Sequence, residues 1–243
     1  MRGAVRSFFR LLIFQASWTY ERLQGIGMGY TSAPLLEPLK DDPERYRAAV
    51  ARSAEYFNAN PYLAGIAVGA AAKGELEGSP GATVRRLRTA LCGPLGSLGD
   101  QLFWIGVVPA LTGAALALLA VKHNAWIVVG LVVVYNAIRL ITTWWGLMVG
   151  LGSGLAVGAA LAKSGLRATA TRIGCAAGFA VGFALPLVAQ WYAHPLGPPV
   201  LMAGVAGGGL GTLAALVQRR VFSAATVTPV VLAAALLLRW GFG

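Results

Sequence analysis

Gly93-Pro94-Leu95-Gly96-Ser97-Leu98-Gly99-Asp100-Gln101-Leu102-Phe103-Trp104 is the stretch whose reading decides the fold. It sets a carboxylate and an amide, Asp100 and Gln101, at the mouth of an uncharged run that reaches Val121. A carboxylate facing hydrocarbon is costly and is kept where it has a use, so the stretch predicts a polar site at membrane depth. Its glycines and Pro94 predict a backbone that is broken there rather than a smooth helix. Broken backbone inside a membrane persists only within protein or along a water-filled cavity, and transporters build substrate sites from such elements.

The rest of the chain agrees with a membrane setting. Of 243 residues, 57% are hydrophobic and 12% charged, and the mean hydropathy is +0.66. That composition predicts an all-α, polytopic membrane protein. The 32 glycines suit helices that pack closely in lipid. A net charge of +11 would fit a nucleic-acid partner, but the basic residues sit in short clusters between apolar runs, as the positive-inside rule requires. Nucleic acid is therefore excluded as a partner. Cys92 and Cys175 lie in apolar surroundings and read as small packed hydrophobes.

The chain divides near residue 90 into an amphipathic and re-entrant N-terminal region, 1–90, and a transmembrane helical region, 91–243. Residues 2–24 carry Arg2, Arg6 and Arg10 among Phe8, Phe9, Leu11, Leu12 and Phe14, which predicts an amphipathic helix at the membrane surface. The apolar segment at this end is short and interrupted, so it reads as mature protein rather than a signal peptide. Asp42, Pro43 and Glu44 form a helix start signal: cap, first-turn proline and first-turn acid. Asn60-Pro61 breaks the chain, and Tyr62–Ala72 is apolar but too short to span, which suits a re-entrant element. Gly74–Thr83 reads as a loop.

Full spans are predicted at Leu102–Val121, Ala125–Val149, Ile173–Ala193, Pro199–Val217 and Val221–Leu238, about five in all. Gly150–Ala162 reads as a tilted or half-span segment. If Ala125–Ala162 crosses once in net terms, three basic clusters share one side, the cytoplasm: Arg85, Arg86 and Arg88; Lys163, Arg167 and Arg172; Arg219 and Arg220. Lys122 with His123, the loop His194–Pro198, and the C-terminal tail with Arg239 then lie outside.

Four ordered blocks resemble one family. ASWTYERLQGIGMGY, EYFNANPYLAGIAVG and GPLGSLGDQLFWIGVVPAL are similar to blocks of the IID component of the mannose/fructose/sorbose-type sugar phosphotransferase system. The fourth is an N-x-x-R segment before an aromatic-rich helix, matched by Asn136, Arg139, Trp144 and Trp145. The sequence departs from that pattern at Gln101, where the family has proline, and at Val108-Pro109, where it has Arg-Pro. Lys73-Gly74-Glu75 replaces an acidic pair, and the loop Glu75–Thr83 is short. The resemblance implies a bacterial inner-membrane permease subunit that pairs with a IIC membrane subunit in a higher oligomer. It implies an elevator-like displacement of a hexose-type sugar, and cytoplasmic IIA and IIB proteins that carry phosphoryl groups on histidines. A transport-inactive regulatory or scaffold protein that retains the fold is the alternative, motivated by the departures.

The candidate site residues follow from both readings. Asp100 either accepts sugar hydroxyls, through charge-assisted hydrogen bonds, or caps the helix that starts at Leu102. Gln101 has an amide able both to donate and to accept. Ser17, Glu21 and Gln24 would share one helix face, and Trp18 beside them suits the apolar face of a pyranose. Trp18 and Tyr20 also fit as belt aromatics, with Glu21 and Arg22 as surface charges. Asn58 and Asn60 before Pro61 read as a structural turn, a turn beside a substrate cavity, or both. Arg139, inside an apolar span, reads as a structural intramembrane charge that needs an ion pair or polar backbone.

The two histidines, His123 and His194, fall in loops predicted to lie outside, beyond a cytoplasmic phosphoryl donor. The chain is therefore expected not to be a phosphohistidine carrier, and the resemblance implies a transport subunit and not an enzyme. No catalytic residue, metal site or cofactor is expected. Gly204–Gly211 is glycine-rich inside an apolar run and reads as helix packing rather than phosphate binding.

Overall fold

Helices account for every regular element in the computed structural model, which describes residues 3–193 and 198–217. In chain order they are α1 (Ala4–Leu11), α2 (Gly25–Ser32), α3 (Pro43–Ser53), α4 (Ala64–Leu76), α5 (Gly81–Leu102), α6 (Val108–Lys122), α7 (Trp126–Ser153), α8 (Val157–Lys163), α9 (Leu166–Ala193) and α10 (Pro198–Val217). A π-helical turn, Phe103–Val107, joins α5 to α6, and a 3-10 turn, Gly154–Ala156, joins α7 to α8. Four stretches are long and apolar enough to cross a membrane: Gly81–Lys122, Trp126–Lys163, Leu166–Trp191 and Pro198–Val217. They match four of the expected spans. The fifth, Val221–Leu238, lies outside the described residues, as do His194, Arg219, Arg220 and Arg239. The glycine-rich 150–162 segment continues the second stretch and adds no crossing-length helix of its own.

The N-terminal helix is much shorter than its sequence pattern suggests. It ends at Leu11, and Leu12–Ser17 pass through turns held by i→i+3 bonds such as Phe14 N to Leu11 O. Thr19 and Leu23 then exchange two backbone hydrogen bonds of 3.1 and 2.8 Å. Gln24 N donates to Phe57 O and Phe57 N to Arg22 O, so this segment pairs with the stretch before Asn60 instead of coiling. Ser17, Glu21 and Gln24 consequently share no helix face. The arginines of α1 also turn toward the protein. Arg6 forms a two-armed pair with Glu37, while Arg10 donates to Tyr30 O and lies over the Tyr30 ring.

Two compact units emerge, and neither is continuous in sequence. One combines the described residues up to Asp100 with Asn136–Arg167; the other combines Gln101–Tyr135 with the described residues after Arg167. In the first unit, α4 is the buried centre: Ile66, Ala67, Val68 and Ala70 are fully enclosed. Glycines on both partners let its backbone meet α7. A methyl group at Gly69 would lie 2.6 Å from Leu147 O, and one at Gly150 would overlap Ile66 O. This is the small-residue crossing that lipid-embedded helices use for close approach.

The capping signal of α3 is realised, with Asp42 Oδ1 accepting from Arg45 N at 3.0 Å. Arg88 on α5 is buried, and its guanidinium donates to the carbonyls of Arg52, Ser53 and Glu55 at the end of α3. Arg85 grips the Glu55 carboxylate with two 2.7 Å bonds, and Arg52 grips buried Glu75 at 2.8 and 2.7 Å. The hydrogen bonds from Arg85 hold the Glu55 carboxyl below the ordinary carboxylate range, against a smaller opposing effect of burial.

In the second unit, α9 and α10 cross through glycine. A methyl at Gly211 would overlap Gly178 O, and one at Gly182 would overlap Gly207 O. Gly204, Gly207, Gly208 and Gly211 therefore serve packing, as the apolar run suggests, while Gly209 faces open space. His123 ends α6 in the left-handed conformation, φ 49°, its ring 5.3 Å from that of Trp191.

Candidate functional site

Asp100 is neither a helix cap nor part of a broken backbone. It sits inside α5, which runs through Gly93, Pro94, Gly96 and Gly99 without interruption and leaves α-helical geometry only at the π-turn beginning with Phe103. The glycines have a different use. Gly96 faces Ala59 Cα at 3.9 Å from the place a methyl would occupy, and a methyl at Gly99 would overlap the Asn60 side chain. Their i, i+3 spacing leaves room along α5 against which Ala59 and Asn60 settle.

That segment is held from two sides. Gln24, 3% exposed, accepts the Ala59 N–H on Oε1 at 2.8 Å. Asn60, 2% exposed, accepts the Tyr62 N–H on Oδ1 at 3.1 Å and donates from Nδ2 to Asp100 Oδ1 at 3.0 Å. The Oδ1 contact is the local turn that asparagine makes before proline-broken backbone. The Nδ2 contact reaches 40 residues along the chain and fixes the carboxylate. Asn60 thus fills both the turn role and a role at the polar site. Asp100 itself is exposed on the chain's surface, and its second oxygen accepts no hydrogen bond from the described residues.

The other sequence-derived candidates lie apart in character. Asn58, Gln101, Glu21 and Trp18 are exposed. Trp18 packs edge-on against Tyr20 at 4.9 Å, at the start of the Thr19–Leu23 hairpin, and Tyr20 is 91% exposed. Arg139 is half-buried in α7. Among the described residues no carboxylate lies within ion-pair distance and no hydrogen bond leaves its guanidinium, so neither an ion pair nor a polar-backbone contact is formed there; the ring of Tyr62 lies 5.9 Å from the guanidinium carbon. Sequence reasoning missed Tyr62, and also Gly96 and Gly99 as packing residues. The signal for the glycines was their three-residue spacing on one helix face.

Comparison with known proteins places this geometry in context. Residues 2–192 match the profile of the family described as "PTS system mannose/fructose/sorbose family IID component". The mannose-specific EIID component of Escherichia coli K12 is 29% identical over 156 residues, which cover 61% of this chain and 54% of that protein. The sorbose-specific EIID component of Klebsiella pneumoniae is 32% identical, covering 62% of this chain and 57% of that protein. The fructose permease IID component of Bacillus subtilis is 30% identical, covering 62% and 56%. The matched segment spans little more than half the length of these relatives. Among solved structures, one described as "Structure of membrane protein" superposes with a TM-score of 0.66, covering 93% of this chain and 92% of that one, at 22% identity. A cryo-EM structure of the mannose transporter ManYZ with microcin E492 gives 0.58 over 97% and 93%, also at 22% identity.

Proposed function

Since the chain belongs to the mannose/fructose/sorbose-family IID components of the phosphotransferase system, we propose that it is a permease subunit in a bacterial inner membrane. It forms a sugar path together with a IIC membrane subunit, within a higher oligomer. Cytoplasmic IIA and IIB proteins supply the phosphoryl group, and IIB phosphorylates the arriving hexose-type sugar. This chain carries no phosphoryl group itself.

The observation that supports this most is the state of Asp100. It is the only charged residue between Arg88 and Lys122, and one of its oxygens is fixed by a buried amide while the other is open. An exposed carboxylate on a crossing-length helix demands a polar neighbour. A wet path shared with a partner subunit meets that demand, and a fixed carboxylate with free acceptor capacity is suited to sugar hydroxyls. Gln101, Asn58, Trp18 and Glu21 are proposed as further path residues. If each crossing-length helix crosses once, Arg85, Arg86 and Arg88 share the cytoplasmic side with Lys163, Arg167 and Arg172, and Lys122 with His123 lies outside.

The test is uptake and phosphorylation of labelled mannose, fructose and sorbose in cells that carry this chain with its IIC, IIA and IIB partners. Asp100→Asn should lower uptake at least tenfold for the transported sugar, and Glu21→Gln less. Equal uptake by wild type and both variants removes these residues from the path. No uptake of any of the three sugars by wild type defeats the transport reading.

A further inference from the structure

We propose that Arg139 and the ring of Tyr62 form the second wall of a sugar-binding site whose first wall is Asp100 held by Asn60. The inference rests on the path reading of Asp100 and deepens it.

Arg139 is the only charged side chain between Lys122 and Lys163. It lies about 20 Å along the helix from Trp126 and about 36 Å from Lys163, at roughly 1.5 Å per residue. Arg139 therefore sits well inside an apolar stretch of crossing length rather than at either of its ends. Among the described residues its guanidinium makes no hydrogen bond, and its carbon lies 5.9 Å from the centre of the Tyr62 ring. A cation inside such a stretch needs acceptors.

Asp100 has the converse need, and both residues belong to the same compact unit. The two do not pair: among the described residues no ion pair joins them, unlike Arg52 with Glu75 or Arg85 with Glu55. In a medium of low dielectric, opposite charges that stay apart require something polar between them. Asn60 and Tyr62 supply that spacer. Asn60 donates to Asp100 and accepts from Tyr62 N, and the Tyr62 ring lies beneath Arg139. Acid, amide, aromatic face and guanidinium are thus presented in sequence by α5, the turn before α4, and α7. That set matches a neutral polyhydroxylated ring: the carboxylate accepts hydroxyl protons, the guanidinium donates to hydroxyl or ring oxygens, and the aromatic face covers C–H groups.

The experiment uses the full permease with its IIC, IIA and IIB partners and labelled mannose, fructose and sorbose. Arg139→Met should raise KM at least tenfold for the transported sugar, with maximal rate less affected and with IIC still co-purifying. Arg139→Lys should recover part of the loss, and Tyr62→Leu should raise KM while Tyr62→Phe leaves it within about twofold. Among monodeoxy analogues of the transported sugar, one should be handled equally by wild type and Arg139→Met, because the hydroxyl that Arg139 serves is already gone. Asp100→Asn combined with Arg139→Met should cost less than the product of the single effects. Wild-type KM in Arg139→Met alongside impaired Asp100→Asn defeats this inference and leaves the path reading standing. Loss of IIC co-purification in both Arg139 variants also defeats it, since the charge then serves assembly. Wild-type behaviour in every variant defeats both.

Discussion

At the scale of single residues, Gly99 carries more of the site than its lack of side chain suggests. It gives Asn60 the room to reach Asp100, because a methyl there would overlap the amide. Gly99→Ala improves local helix propensity, yet it should destabilise the protein by about 1–3 kcal/mol through overpacking. Because the displaced group is the one that orients Asp100, sugar uptake should fall together with thermal stability measured on the purified permease. Unchanged uptake would mean that the carboxylate does not need its amide. Sequence alone singled out Asp100 and Asn60 but gave them separate jobs. Proline and glycine signal broken backbone from local rules, whereas their use here is decided by a strand of chain 40 residues away.

At the scale of elements, the α3 end and α5 are joined by charge. Three carbonyls converge on Arg88, and Arg85 holds Glu55. The Glu55 carboxyl titrates below its ordinary value because Arg85 donates to it. A depressed folded-state value means that the pair's stabilisation is complete above the unfolded value, near pH ~4.3, and is lost as pH falls through the folded one. Unfolding midpoints should therefore be level from about pH 7 to 5 and drop below about pH 4. Arg85→Met should lower the midpoint at neutral pH and flatten part of the acid limb. The Arg6–Glu37 pair acts in the same direction but is exposed and contributes little.

The elements were unevenly legible. The capped start of α3 and the crossing-length helices follow from local chemistry: an Asp-Pro-Glu start and unbroken apolar runs. The extent of α1 does not. The aromatic and basic periodicity of residues 2–14 was read onward to Gln24, but Gly25 and Gly27 permit contact with the carbonyls of Glu55 and Phe14. That tertiary pairing outweighs helical propensity between Leu12 and Gln24.

At the scale of the whole molecule, the alternation of basic and neutral connections is the property to test. Single cysteines at Asn124 and Ser164, in a background with Cys92 and Cys175 replaced by alanine, should respond oppositely to a membrane-impermeant maleimide in intact cells. Asn124 should be labelled from outside, and Ser164 only after permeabilisation. The reverse pattern would invert the proposed orientation while leaving the helices themselves untouched.

The burial of α4 has a consequence for how the protein is made. This short apolar segment finds its enclosing partner, α7, only after Trp126–Ser153 has left the ribosome. At roughly 5–20 residues per second, the delay is on the order of 4–15 s. During that interval a helix too short to span lipid is only partly enclosed. During synthesis α4 therefore has mainly α1 and α2 to rest against until the later helix arrives to close over it.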